Sequence, residues 1–213
     1  MGMAYVSLGS QVVNFNEFQT ALDHSTISYP VLPEYMYTFG TGGVFFIKDW
    51  VVALEGDGFF STTETFGPYQ SRLSGGYVTL DTGFLLRRTK TFIVYPLLGI
   101  GGASLSYKIF QDPGSLSFAQ ILDNPQNEVT LNNKSIFFHI AMAAQLHFNF
   151  STGEESGNFF LGIRGGYKTT VKAFDWYIQG TATRLTDSPV IDLDGYYIQL
   201  MIGLSGENFL LVD

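Results

Sequence analysis

Between Tyr35 and Phe60 the chain sorts its residues by parity. Tyr35, Tyr37, Phe39, Phe45 and Ile47 share one parity, and Thr38, Gly40, Gly42 and Val44 take the other. After Lys48-Asp49, the residues Trp50, Val52, Leu54 and Phe60 fall together, with Glu55 and Asp57 opposite them. Successive side chains of a strand point to opposite faces. The stretch therefore predicts a β-hairpin closed by a two-residue turn. One of its faces is large, apolar and uncharged. The other is small and carries the charges.

The same alternation recurs along the chain. A first strand is expected over Tyr5–Phe15, with Val6, Leu8 and Val12 opposed to Ser7, Gly9 and Gln11. The hairpin supplies strands two and three. Strand four is expected over Leu73–Arg87, where Val78, Leu80, Phe84 and Leu86 oppose Thr79, Asp81 and Gly83. Strand five is expected over Phe92–Tyr107, where Pro96 and Gly99, Gly101 and Gly102 predict a bulge or bend. Strand six, Ser135–Phe150, sets Ile136, Phe138, Ile140, Met142, Leu146, Phe148 and Phe150 against His139, Gln145, His147 and Asn149. Strand seven, Asn158–Lys168, sets Phe159, Leu161, Ile163 and Tyr167 against Arg164 and Lys168. Strand eight, Gly195–Leu204, sets Tyr196, Ile198, Leu200, Ile202 and Leu204 against Gln199.

The connections alternate as well. Short turns follow strands two, four and six. Longer segments follow strands one, three, five and seven: 16–34, 61–71, 108–133 and 169–193. All the long connections thus belong to one end of an up-and-down barrel and both termini to the other, an asymmetry found in outer-membrane barrels. No helical segment stands out between strands, although LSFAQILDN at 116–124 has room for a short one. The expected fold is all-β, a single domain over 1–213, as an eight-stranded antiparallel up-and-down transmembrane barrel.

Alternation alone does not say which face is outside, because a soluble lipocalin-like barrel has the same period. The greasy face collects about five large residues per strand, more than an eight-stranded interior holds. The opposite face is rich in Gly, Ala, Thr and Ser, which suits a crowded lumen. It lacks the dense Lys and Glu of a solvated surface. The clearly assigned greasy faces carry no charge, as a lipid-facing surface requires. Aromatics also gather at the strand ends: Phe45, Trp50, Phe84, Phe92, Phe148, Phe150 and Phe159 toward the short turns, and Tyr35, Tyr37, Phe60, Tyr107, Tyr167 and Tyr196 toward the long connections. Two interfacial aromatic rings are expected of a membrane barrel.

Composition narrows the function classes. Charged residues are only 14% of the 213, against roughly 25% in an ordinary soluble domain, and 20 Phe and 12 Tyr argue against disorder. A net charge of −8 disfavours nucleic acid as a partner. With no Cys there is no disulfide, zinc–thiolate site or thiol chemistry. No apolar run reaches the length of a transmembrane helix. The start Met1-Gly2-Met3 reads as a mature chain behind a cloning remnant.

The segments FGTGGVFFIKDWVVALEGDGFF and GGYVTLDTGFLLRR…FIVYPLLGIGG resemble hairpins of small eight-stranded bacterial outer-membrane proteins of the OmpA transmembrane-domain and OmpX type. The resemblance is one of pattern and covers nearly the whole chain. It implies a bacterial outer membrane, outer-membrane lipid around the barrel and periplasmic termini. Such proteins often end on an aromatic residue, whereas here Phe209 stands four residues before the end.

On the inward parity, Glu55, Asp57 and Asp81 come from adjacent strands, and Arg164, Gln145 and Gln199 fall at similar heights. Strands three and seven lie opposite each other in an eight-stranded ring. The expectation is a structural polar network of Glu55, Asp57, Asp81, Gln145, Arg164, Lys168 and Gln199, with Arg164 reaching across to the carboxylates. His139 and His147 also point inward, but at roughly 26 Å apart along one strand they cannot share a metal ion. No cofactor is implied. His24 stands near Asp23 and Ser25, and a lipid A-modifying enzyme of this architecture would need such a set, but a triad is recognised by geometry, not by neighbourhood in sequence. The Gly runs GTGG and GIGG lack the lysine and helix start of a phosphate loop. A structural role, or surface interaction with extracellular ligands or proteins through the long connections, fits best. A lipid-modifying enzyme, a small-solute channel and a soluble ligand-binding barrel are the alternatives.

Overall fold

The computed structural model describes residues 2–25, 29–89, 91–111, 128–152, 155–181, 183–185, 188–189 and 191–206, with backbone alone for 149–152 and 155–157. Eight long strands carry the fold: β1 Gly2–Val12, β2 Tyr35–Ile47, β3 Trp50–Phe60, β4 Tyr69–Phe84, β5 Phe92–Gln111, β6 Glu128–Thr152, β7 Glu155–Ala173 and β8 Gly195–Ser205. Each pairs antiparallel with the next, and β8 pairs antiparallel with β1, so the sheet closes on itself. Closure removes the unpaired edges that no strand can expose to hydrocarbon. Three short strands, Glu64–Phe66, Arg87–Arg88 and Tyr177–Ile178, hang on this ring.

The β2–β3 turn is Lys48-Asp49, with Lys48 at φ 57°. Met3 pairs with Ser205, so the first and last strands begin and end side by side, at the end of the barrel that holds this turn. Strand parity decides the two faces. The row Leu54–Leu80–Ile100–Phe138 is exposed on the outside, while Val51, Ala53, Ile93 and Ala143 on the other parity are buried inside. An exposed apolar surface that encircles the molecule has no place in water. This is a membrane-spanning β-barrel with its faces arranged opposite to those of a soluble ligand-binding barrel. Among the described residues no helix is long and apolar enough to cross a membrane; strands make the crossing.

The interior is filled in layers. Met3, Val44, Phe46, Val51, Leu97 and Phe160 form an apolar layer next to the short turns. Phe59, Leu73, Leu105, Tyr107, Phe137 and Trp176 belong to a second apolar layer at the opposite end. The charged residues lie between the two.

Several expectations are corrected. Tyr107 is fully buried in the lumen, its ring edge-on to Phe18 at 5.0 Å, and belongs to no outer aromatic ring. It shares parity with Ile93, Tyr95 and Leu97, which all point inward. Strand five has no bulge: β5 pairs in unbroken register with both neighbours, and a Cβ on Gly99 or Gly101 would strike Asp81 or Phe137. Its glycines make room inside rather than bend the wall. The irregularity lies instead between β6 and β7, where Ile136 pairs with Lys172 and Phe137 with Thr170, leaving Val171 extra. The first long connection contains a helix, α1 Asn16–Asp23, whose buried Phe18 sits between Tyr107 and Trp176. β5, β6 and β7 run several residues further than expected. The segment 116–124 and Phe209 lie outside the described residues, as does the side chain of Phe150.

Tyr35, Tyr37, Trp50, Phe84, Phe148 and Tyr196 are exposed on the outer face, and Phe92, Phe159 and Tyr167 are partly exposed there. A charge placed in the middle of this belt has no water and no partner. Leu80→Lys is expected to cost about 2–4 kcal/mol of folding free energy in a bilayer, measured by reversible denaturant unfolding against the parent protein.

Candidate functional site in the lumen

The charged layer is built from strands on opposite sides of the ring. Arg164, on β7, is 1% exposed and divides its guanidinium among three partners. Its Nε and Nη2 donate to Gln199 Oε1 at 3.1 and 2.7 Å, and Nη1 donates to Tyr5 Oη at 3.1 Å. Nη2 also forms an ion pair with Glu55, on β3 across the lumen. The Tyr5 hydroxyl donates to the same Glu55 carboxylate. Arg suits this place, because its planar fork makes several directed bonds at once and keeps its charge.

Asp57, two residues along β3, accepts from Ser7 Oγ at 3.1 Å and from Gln199 Nε2 at 3.0 Å. Gln199 thus bridges the guanidinium and the second carboxylate. Asp81, on β4, faces His139 Nδ1 at 2.9 Å, and His139 Nε2 is bonded to Tyr197 Oη. Lys168 is held differently. Its ammonium donates to Gln11 Oε1 at 3.1 Å and lies over the Tyr77 ring at 3.4 Å and the Tyr197 ring at 4.7 Å. Aromatic faces attract a desolvated cation.

The structure brings together Glu55, Asp57, Arg164 and Gln199, and sets Asp81 with His139 and Lys168 with Gln11 next to them. Gln145 stands apart, despite its expected height. It donates to Tyr95 Oη at 2.7 Å in the apolar layer near the short turns, with His147 beside it. The barrel's stagger separates residues that simple counting along strands makes level. Sequence reading misses Tyr5, Tyr77 and Tyr197, which supply hydroxyls and ring faces to the network. Their signal is parity: each shares it with Ser7, Asp81 or Gln199. Two glycines make the layer possible, since a Cβ on Gly42 would collide with the Tyr5 phenol and one on Gly99 with the Asp81 carboxylate.

At the far end, a cavity of about 300 Å³ opens among Val12, Asn14, Gln19, Leu32, Glu34 and Asp194. Gln19 is committed on both sides, to Asp23 and to the Leu32 amide. His24 is exposed, with Nδ1 2.7 Å from the Thr20 carbonyl, so it forms no triad with Asp23 and Ser25. Among the described residues no group of three or more His, Cys, Asp or Glu is placed to hold a metal ion.

A buried guanidinium with its carboxylate removed, or the reverse, leaves an uncompensated charge. Arg164→Ala is expected to cost about 3–5 kcal/mol, read as a lowered unfolding midpoint in detergent, and an unchanged midpoint would contradict the ionic cross-brace. A second expectation concerns the far end. Burial, together with the Asp194 and Glu17 carboxylates, raises the Asp192 carboxyl above its ordinary value. Ionised Asp192 therefore costs stability at neutral pH, and the cost is relieved as pH falls through the raised value. Asp192→Asn should raise the thermal midpoint near neutral pH and lose that gain in acid, as a pH series of melting curves would register.

No protein-family model matches the chain, and no curated protein sequence does. Among solved structures it is similar to Ail, the attachment invasion locus protein of Yersinia pestis, at 15% identity and a TM-score of 0.44, over 95% of this chain and 97% of that one. It is also similar to a major outer membrane protein from Thermus thermophilus, at 8% identity and a TM-score of 0.37 over 94% and 98%. The outer membrane protease OmpT of Escherichia coli is a third, at 8% identity and 0.37 over 95% of each chain.

Proposed function

We propose that the chain is one bacterial outer-membrane domain over 1–213, with a lumen that is a structural plug and a role that is structural or in surface interaction. In this reading the segments 13–34, 61–68, 112–127 and 174–194 connect strands at the outer surface, and both termini are periplasmic. The observation that carries the reading is the sealed charged layer. Arg164 pairs with Glu55 and donates to Gln199, which in turn donates to Asp57, with apolar side chains above and below them. A solute path needs a continuous polar lining, and Phe46, Val51 and Leu97 at one end and Phe59, Leu73 and Phe137 at the other interrupt it.

Catalysis at the rim finds less support, because His24 is exposed and bonded to its own helix. The connecting segments are the remaining surface on which specific recognition can be built, and binding residues on a rigid scaffold commonly sit there. The helix α1 pins the first segment to the barrel mouth through Phe18, which holds it in one place as a recognition surface requires. Reconstitution into planar bilayers tests the plug. No stepwise ion current is expected from the wild-type protein, and sustained single-channel openings would replace this reading with that of a channel.

A further inference from the structure

The outer wall is not uniform. Over β3, β4, β5 and β6, the directly paired residues Gly58, Gly76, Ser104 and Lys134 make one outward row, and Gly56, Val78, Gly102 and Ile136 make the next. A Cβ added to Gly56 or Gly102 would meet nothing within 4 Å. Gly56, Gly76, Val78, Gly102, Ser104 and Ile136 line a wide-open trough of about 640 Å³ in the lipid-facing wall, with Lys134 and Phe174 at its edge, while the Phe39 ring fills the space over Gly58. It lies toward the end of the barrel away from the Lys48-Asp49 turn, where β2 and β8 instead carry exposed Tyr35, Tyr37 and Tyr196.

Two lysines stand beside the trough. Lys134 and Lys172 are exposed on the outer face of β6 and β7, one row apart, with Lys172 paired to Ile136. Further along the same face, Arg72 pairs in register with Lys108. Lys108 is neutralised by Glu128 at 2.7 Å. Among the described residues no carboxylate lies within 4 Å of Arg72, Lys134 or Lys172. A chain with a net charge of −8 has therefore gathered cations without a carboxylate partner beside a gap in its apolar belt. Lysine is tolerated on a lipid face only near the interface, with its stem along the wall and its ammonium at headgroup level.

We propose that the trough seats an acyl chain of a phosphorylated membrane lipid, whose phosphate is held by Lys134 and Lys172. Glycines let the chain lie against the backbone, and the two ammonium groups complement the headgroup charge. A second copy of the protein fits less well. A two-fold interface would bring the same patch onto itself, lysines against lysines.

The test uses the whole protein in detergent, titrated with dioleoylphosphatidylglycerol and separately with dioleoylphosphatidylcholine, with bound lipid counted by native mass spectrometry. The wild type is expected to retain phosphatidylglycerol in preference to phosphatidylcholine. Lys134→Gln with Lys172→Gln should weaken phosphatidylglycerol retention about thirtyfold, from the two charges, and phosphatidylcholine, whose choline cation offsets its phosphate, much less. Gly56→Val and Gly102→Leu, each filling the trough, should weaken both lipids. Lys48→Gln with Arg87→Gln, at the other end of the barrel, should change neither. Equal retention of the two lipids by the wild type would overturn the proposal. So would an equal loss in the Lys48/Arg87 variant, retention unaffected by filling the trough, or a dimer that the filling dissociates. The proposal rests on the barrel standing in a bilayer. Failure of that reading appears as wild-type protein soluble without detergent, whereas failure of the lipid site leaves a detergent-requiring barrel with no headgroup preference.

Discussion

A charge inside a barrel surrounded by hydrocarbon has no water to turn to, and the rest of this structure follows from that constraint. Glu55, Asp57 and Asp81 enter the lumen from adjacent strands; Arg164 meets Glu55 and His139 meets Asp81 from the other side, while Lys168 lies over the Tyr77 ring. Desolvation of each ion is offset only when partners are placed well and the remaining hydrogen bonds are made. Tyr5 and Gln199 supply much of that set, each serving a carboxylate and the guanidinium together. The network spans the ring from β3 to β7 and from β3 to β8, so it ties together walls that have no backbone bonds between them.

Size complementarity around the charged layer is what makes it fit. Long inward side chains lean over the neighbouring strand because their register partner there is glycine. Tyr5 lies over Gly42, Asp81 over Gly99 and Phe137 over Gly101, and in each case a methyl group would collide. The small residues of the inner parity are therefore not spare sequence between the large outer ones. They are the space in which the inner side chains lie. The apolar layers then close both ends and keep the local dielectric low, which strengthens the ion pairs and raises the cost of breaking them.

Much of this is legible from period-two parity, because in a barrel one bit of information per residue decides between lipid and lumen. That bit puts Leu54 and Leu80 outside and Glu55, Asp81 and Arg164 inside. Expectation fails where residue type is followed against parity. An aromatic near a strand end suggests an outer ring, yet Tyr107 has the parity of Tyr95 and packs against Phe18. Height is less legible than facing. Gln145 counts as level with Arg164 along the strand, but the stagger between strands carries it into the layer around Tyr95. The helix Asn16–Asp23 gives little signal because it is only 8 residues long and holds its place through one buried ring, Phe18, rather than a full apolar stripe.

The trough and the charged layer occupy the same stretch of wall. Gly56 precedes Asp57, Gly76 precedes Tyr77 and Gly102 precedes Ala103, so where the outer face has lost its side chains the inner face carries part of the polar network. Backbone amides there are the only layer between hydrocarbon and the Asp57 carboxylate. An exposed backbone patch at this depth is tolerable while its own ladder bonds are complete, and the β3–β4–β5 register is unbroken across it. Water entering from the headgroup region would compete with those bonds and with the ion pairs behind them. An acyl chain lying in the trough would exclude that water. Occupancy of the outer face and stability of the inner network are in this way coupled through a single thickness of strand.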